Sequence, residues 1–260
     1  MRLKEMILHV RQPSVFLVWG ILLLFALVCP AQSAGNAYNE SFDKAKKFLE
    51  QQVYFDHRVT IYCSASYDAK KNIDTPEGFT TSKYIDRAKK VEWEHIVPAE
   101  NFGRNFTEWT VGDPDVCTKS GKAYKGRECA EKANQEYRYM QADMHNLAPA
   151  IGAVNAARQN YNFVIFPAEV ESDFGSCKFK VSNKLAEAPE ASRGIIARTH
   201  LYMQSEYPRF KMDDSQYLQM QVWNEVYPPN QWECTRAQRI AKIQGNANTI
   251  TEDACQAAGF

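Results

Sequence analysis

Several absences narrow what this chain can be. No Gly/Ser-rich or Pro-rich stretch divides its 260 residues, and no internal repeat or low-complexity tract is visible, so a single domain able to bury a sizeable core is expected. There is no Cys-x-x-Cys spacing, which argues against a zinc site. No apolar run reaches the roughly twenty residues of a membrane-spanning helix; the uncharged stretch from Val15 to Cys29 is shorter. Net charge is also missing, at +0 with 31 basic and 31 acidic residues. A polyanion-binding protein of this composition must therefore concentrate its positive charge locally.

The short apolar run follows Arg2, Lys4 and Arg11 and gives way to Pro30, Ala31, Ser33, Ala34 and Gly35. A basic start, an apolar middle and a small-residue exit read as a secretory signal peptide over residues 1–34, leaving 35–260 as the mature domain; an uncleaved anchor is the alternative. Removing the leader leaves 28 basic and 30 acidic residues and takes Cys29 with it. The six remaining cysteines, Cys63, Cys117, Cys129, Cys177, Cys234 and Cys255, are read as disulfides of an exported protein. Fifteen pairings are open, and only Cys117 with Cys129, flanking a polar loop, is forced by proximity.

Along the mature chain, Ser41 to Val53 reads as an amphipathic helix with Ser41 as cap and Phe42, Ala45, Phe48, Leu49 and Val53 on one face. The β-branched run Arg58 to Cys63 predicts a strand, as does Val91 to Val97, ended by Pro98. Cys117 to Cys129 encloses Lys119, Lys122, Lys125 and Arg127 around Tyr124. Such a run is most often a solvated loop, but one closed by a disulfide is also suited to contact phosphate. Glu128 to Met140 has helical spacing. Asn146 to Arg158 predicts a second helix with Pro149 in its first turn and Asn146 as its cap. Helices are also expected over Gly194 to Tyr207, Ser215 to Tyr227 and Glu233 to Gln244. On the last, Arg236, Arg239 and Lys242 read as a solvated face, with Cys234 and Cys255 pinning the tail.

Two short stretches carry chemistry. Trp93-Glu94-His95-Ile96-Val97-Pro98 supplies a carboxylate beside an imidazole, and Asp143-Met144-His145-Asn146 supplies an amide. Phosphodiester hydrolysis needs an activated nucleophile, a cation against the charge building on phosphorus, and donors to place the backbone. His95 has the pKa range of a general base. Glu94 and Asn146 offer hard oxygen ligands suited to Mg²⁺, which keeps several waters and takes few protein ligands. Regular strand geometry sends Glu94 and His95 to opposite faces, so a strand end or bend is required for both to serve one site. Asp143 and His145 read as positioning the turn.

Trp93 to Ala99, Tyr137 to Gly152, and Glu233 to Arg236 followed by Arg239 to Asn246 together resemble the bacterial periplasmic and extracellular endonuclease I family over nearly the whole mature chain. The resemblance implies an α+β fold with a ββα-metal (His-Me finger) core, peripheral helices and disulfides. It further implies hydrolysis of DNA, and of RNA, to 5′-phosphate ends with little sequence preference, by a monomeric, periplasmic or secreted enzyme without stable membrane association. His95 would be the base, Glu94 and Asn146 the ligands of Mg²⁺, with Mn²⁺ or Ca²⁺ as alternatives. Arg127 would be the arginine at the scissile phosphate, with Lys122, Lys125 and Arg158 as further phosphate contacts. Two other classes stay open: an exported nucleic-acid-binding protein without catalysis, and a metal-dependent hydrolase of another substrate.

Overall fold

In the computed structural model, residues 35–260 are described, and they fall within one compact unit, 33–260. The predicted signal peptide lies outside the described residues. Chain entry is α1 (Phe42–Phe48), capped by the Ser41 side chain on Lys44 N–H and continued by a π-helical turn over Leu49–Val53. The strands β1 (Ser66–Tyr67) and β2 (Ile73–Asp74) form a small hairpin before β3 (Val91–His95). Short helices α2 (Ala99–Gly103) and α3 (Thr107–Thr110) and the hairpin β4 (Thr118–Lys119) with β5 (Lys122–Ala123) lead to α4 (Arg127–Ala133) and α5 (Gln135–Gln141).

After a 3-10 turn at Met144–Asn146 come β6 (Leu147–Ile151) and α6 (Gly152–Arg158). A three-stranded sheet of β7 (Asn162–Phe163), β8 (Lys180–Ser182) and β9 (Leu185–Glu187), in the order β7-β9-β8, follows. The chain closes with α7 (Glu190–Glu206), α8 (Asp214–Val226), α9 (Gln231–Gln244) and α10 (Thr249–Ala257). This is the expected α+β class. None of the helices among the described residues is long and apolar enough to cross a membrane.

The centre is the antiparallel pair β3–β6, in which Glu94 faces Ala148 and His95 faces Leu147, with α6 following directly and packing on both strands. The predicted helix from Asn146 to Arg158 is thus corrected. Its first third is a strand, all five residues of which are buried, and only Gly152 onward is helical. Tertiary pairing overrides the helical preference of an alanine-rich segment. Pro149 is tolerated because its backbone faces away from β3: its carbonyl accepts from Ile61 N–H at 2.8 Å, so the missing N–H costs no ladder bond. Gly152 permits the turn from strand into helix at close quarters, since a Cβ there would lie 2.5 Å from the Arg87 carbonyl oxygen.

Two further expectations change. Arg58 to Cys63 forms no strand; its pairing is a lone bridge between Val59 and Ser66. Arg236 does not lie on a solvated face. It is 3% exposed, and its Nη2 donates to the carbonyls of Met144, His145 and Leu147 while Nε donates to the Tyr54 hydroxyl. The turn leading into β6 is therefore held by a buried guanidinium. Cys117 bonds Cys129 as expected, and the open pairings resolve as Cys63–Cys177 and Cys234–Cys255.

Three apolar clusters meet at the strand ends. Ile96 packs into one with Ala150, Phe163 and Trp223, Val97 into a second with Phe102, Tyr137 and Tyr202, and Leu147 into a third with Leu49 and Ile240. Each of these aliphatic side chains is fully buried, worth about 1.5–3 kcal/mol apiece. Residues adjacent to Glu94 and His95 are thereby fixed from three directions.

Candidate active site

A cavity of about 330 Å³ opens at the end of β3 and is lined by Glu94, His95, Arg127, Asn155 and Arg158, with Trp109 on its wall. Glu94 and His95 serve the same cavity because His95 is the last residue of the strand, where regular alternation ends.

His95 Nε2 lies 2.9 Å from the Gln141 carbonyl oxygen. A carbonyl only accepts, so Nε2 carries the hydrogen and, in the neutral ring, Nδ1 carries the lone pair. Burial, and next the Arg127 charge, hold the imidazole pKa down to about 3, so the ring is the neutral base at neutral pH. The Phe42 ring, centred 4.8 Å from the imidazole, covers it.

Glu94 is 4% exposed. Its Oε1 accepts from the Tyr62 hydroxyl at 2.8 Å and lies 3.2 Å from Arg158 Nη1. Its Oε2 has no hydrogen-bond partner among the described residues. Burial raises the carboxyl pKa to about 7, a rise that Arg158 and Tyr62 offset only in part. A carboxylate in that condition, with one free oxygen on a cavity wall, gains by acquiring a cation.

Arg127 opens α4, immediately after Gly126, whose φ of 92° suits the glycine there. The Cys117–Cys129 bond lies two residues further on and ties this helix start to the preceding loop. Arg127 Nη2 is 3.4 Å from Gln141 Oε1, and its guanidinium sits 5.5 Å from the Phe42 ring centroid. Gln141 thus touches both His95 and Arg127, one through its backbone and the other through its side chain.

The structure does not bring Asn146 to this cavity. Its side chain is fully buried and spent on one residue: Oδ1 accepts from Val97 N–H at 2.7 Å and Nδ2 donates to the Val97 carbonyl at 3.0 Å. It locks the exit of β3 to the turn before β6. The amides that do line the cavity are Asn155, Gln159 and Asn160; Asn155, on α6, is not among the residues expected from sequence. Its Nδ2 donates to Glu92 Oε2 at 2.8 Å. Because a carboxylate only accepts, Oδ1 is the end left free of Glu92. The available signal is its spacing three residues before Arg158, which puts both on one helix face.

Arg158 is 1% exposed and turned inward, donating to the carbonyls of His95 and Ile96 while pairing with Glu94. Lys122 and Lys125 lie on the exposed loop and do not line the cavity; Lys125 donates to the Thr110 carbonyl. Asp143 and His145 do hold the turn, with Asp143 accepting from His145 N–H, Tyr202, Tyr207 and Gln244.

No group of three or more His, Cys, Asp or Glu among the described residues could hold a metal. Besides Glu100, which pairs with Arg104, and the amides of Gln159 and Asn160, the cavity offers the Glu94 carboxylate oxygen and the Asn155 amide oxygen, a donor set that fits a hard divalent cation retaining most of its waters.

Residues 36–255 match the family described as Endonuclease I. The chain is 35% identical over 242 residues to an extracellular deoxyribonuclease of Aeromonas hydrophila, covering 90% of this chain and 97% of the relative. It is 34% identical over 244 residues to a periplasmic deoxyribonuclease of the same organism, with coverage of 91% and 94%. An Endonuclease-1 of Buchnera aphidicola subsp. Baizongia pistaciae is 32% identical over 250 residues, covering 94% of this chain and 95% of the relative.

Proposed function

Because this chain belongs to the endonuclease I family, we propose that it is an exported, metal-dependent endonuclease hydrolysing phosphodiester bonds of DNA, and of RNA, with little sequence preference. The supporting observation is one juxtaposition: an imidazole with its Nδ1 lone pair available, a carboxylate with a free oxygen and a guanidinium line the same cavity.

His95 Nδ1 takes a proton from the attacking water as the oxygen adds to phosphorus. The P–O3′ bond breaks, leaving a 5′-phosphate, and the departing 3′ oxygen takes its proton from solvent. Arg127 faces the charge that accumulates on the non-bridging oxygens, held ready by Gln141 and Phe42. Glu94 and Asn155 would hold Mg²⁺, in place of the Glu94–Asn146 pair; Mn²⁺ and Ca²⁺ would suit the same hard donors. When bound, the cation neutralises developing phosphorane charge and lowers the pKa of water. Tyr62 and Arg158 keep Glu94 oriented, a role that replaces direct phosphate contact for Arg158. The β3–β6 pair with α6 supports a ββα-metal arrangement. The relatives' names support a periplasmic or secreted location, and the enzyme acts as a monomer.

Incubating the purified, oxidised protein with plasmid and with RNA, in Mg²⁺ or in chelator, tests this. Metal-dependent conversion to nicked and linear products is expected. Binding without cutting would transfer the protein to the non-catalytic class.

A further inference from the structure

A second cavity of about 710 Å³ adjoins the catalytic one, sharing Glu100, Gln159 and Asn160 as common wall. It is an open, polar groove, and its charges are unevenly engaged. The two carboxylates on it are occupied by the protein: Glu100 pairs with Arg104, and Asp213 caps α8 by accepting from Gln216 N–H at 2.8 Å. The ammonium groups of Lys184 and Lys211, which also line it, have no hydrogen-bond or ion-pair partner among the described residues. The same is true of the side-chain amides of Asn101, Gln159 and Asn160. With Glu100 neutralised by Arg104 and Asp213 the one acid without an ion pair, the free Lys184 and Lys211 leave the lining with one positive charge in excess, and with its free amides the groove suits an anion bearing further polar groups.

The junction between the two cavities is also unusual. Gln159, which ends α6 one residue after Arg158, has φ 50° and ψ −130°, a conformation that a non-glycine residue rarely adopts. This backbone turn directs the chain from the helix carrying Asn155 and Arg158 into Asn160 and β7, along the groove.

We propose that this groove is the track for the DNA flanking the cleaved bond, with Lys184 and Lys211 each contacting one backbone phosphate and Asn160 and Asn101 facing sugar or base edges. The inference rests on the nuclease reading for the identity of its occupant. It predicts a particular partition: scissile phosphate in the smaller cavity, binding energy in the larger one. Lys184 sits in the β8–β9 turn and Lys211 just before α8, so neither belongs to the catalytic elements.

The test is equilibrium binding of a labelled duplex in chelator, where no cutting occurs, as a function of salt. For Lys184→Gln/Lys211→Gln the slope of log Kd against log salt should fall by about 2, roughly one for each phosphate that is no longer neutralised. Affinity at moderate salt should weaken several-fold, with the thermal midpoint and turnover at saturating DNA unchanged. Lys184→Arg/Lys211→Arg should keep the wild-type slope. An unchanged slope in the glutamine variant, or an equal loss in the arginine variant, would overturn the proposal. Wild-type protein that binds with the steep slope but does not cut in Mg²⁺ would instead defeat the nuclease reading alone.

Discussion

Replacing Asn146 and Asn155 separately by alanine distinguishes a residue that builds the site from one that works in it. Asn146→Ala removes two hydrogen bonds and strands the N–H and C=O of Val97, which is itself 0% exposed. Leaving one buried group unsatisfied costs about 1–3 kcal/mol, so the pair together should cost roughly 2–5 kcal/mol. For a domain of this size each kcal/mol lowers the midpoint by about 2–4 °C, giving an expected drop of roughly 4–20 °C. Asn155→Ala loses one hydrogen bond at a half-buried position, about 1 kcal/mol or less, and should melt within a few degrees of wild type. Its metal affinity, however, should fall by roughly tenfold or more. Calorimetric melting and Mn²⁺ or Mg²⁺ titration read the two effects independently. Wild-type melting with lost metal affinity in Asn146→Ala, alongside retained affinity in Asn155→Ala, would reverse the two roles.

Other perturbations bear on the scaffold. The buried rings of His145 and His200 have pKa values lowered to about 4 and about 3, chiefly by burial. Their unfolded forms take up protons below about 6.5 while the folded forms do not, so stability should fall as pH drops from about 6.5 towards 4. Each contributes up to about 1.4 kcal/mol per pH unit, and His200→Leu should flatten the slope by one proton in denaturant melts across that range. Arg236→Met should leave the DNA salt slope intact but lower stability by about 3 kcal/mol or more, because three carbonyls lose a charged donor. Cys117→Ser/Cys129→Ser should lower turnover more than it lowers the melting temperature, since the bond restrains the helix start that carries Arg127; equal losses would mean the disulfide acts on stability alone.

What the sequence made legible divides along physical lines. Glu94-His95, the Cys117–Cys129 loop and the long helices α7 to α9 were readable because each is a local pattern of spacing or periodicity. The site's second oxygen was not. Asn146 looked like a helix cap because Pro149 suits a first helical turn as well as it suits an outward-facing strand position; only pairing with β3 decides between them. Once Leu147 to Ile151 is a strand, α6 starts at Gly152 and Asn155 lines the same cavity as Glu94. Arg236 was hidden for a related reason. Basic residues three apart look solvated until a neighbouring turn presents several carbonyls with no other donor. Tyr62, whose hydroxyl orients Glu94, left no sequence signal, because that contact exists only after the chain has folded across thirty-two positions.

His95 acts as the base in the proposed metal-dependent cleavage. Single-turnover cleavage of DNA by His95→Ala in Mg²⁺, with and without added imidazole, tests it most directly. DNA affinity should match wild type, the cleavage rate should fall by about 10²-fold or more, and imidazole should restore part of it. Near-normal cleavage by the variant without imidazole would contradict the account.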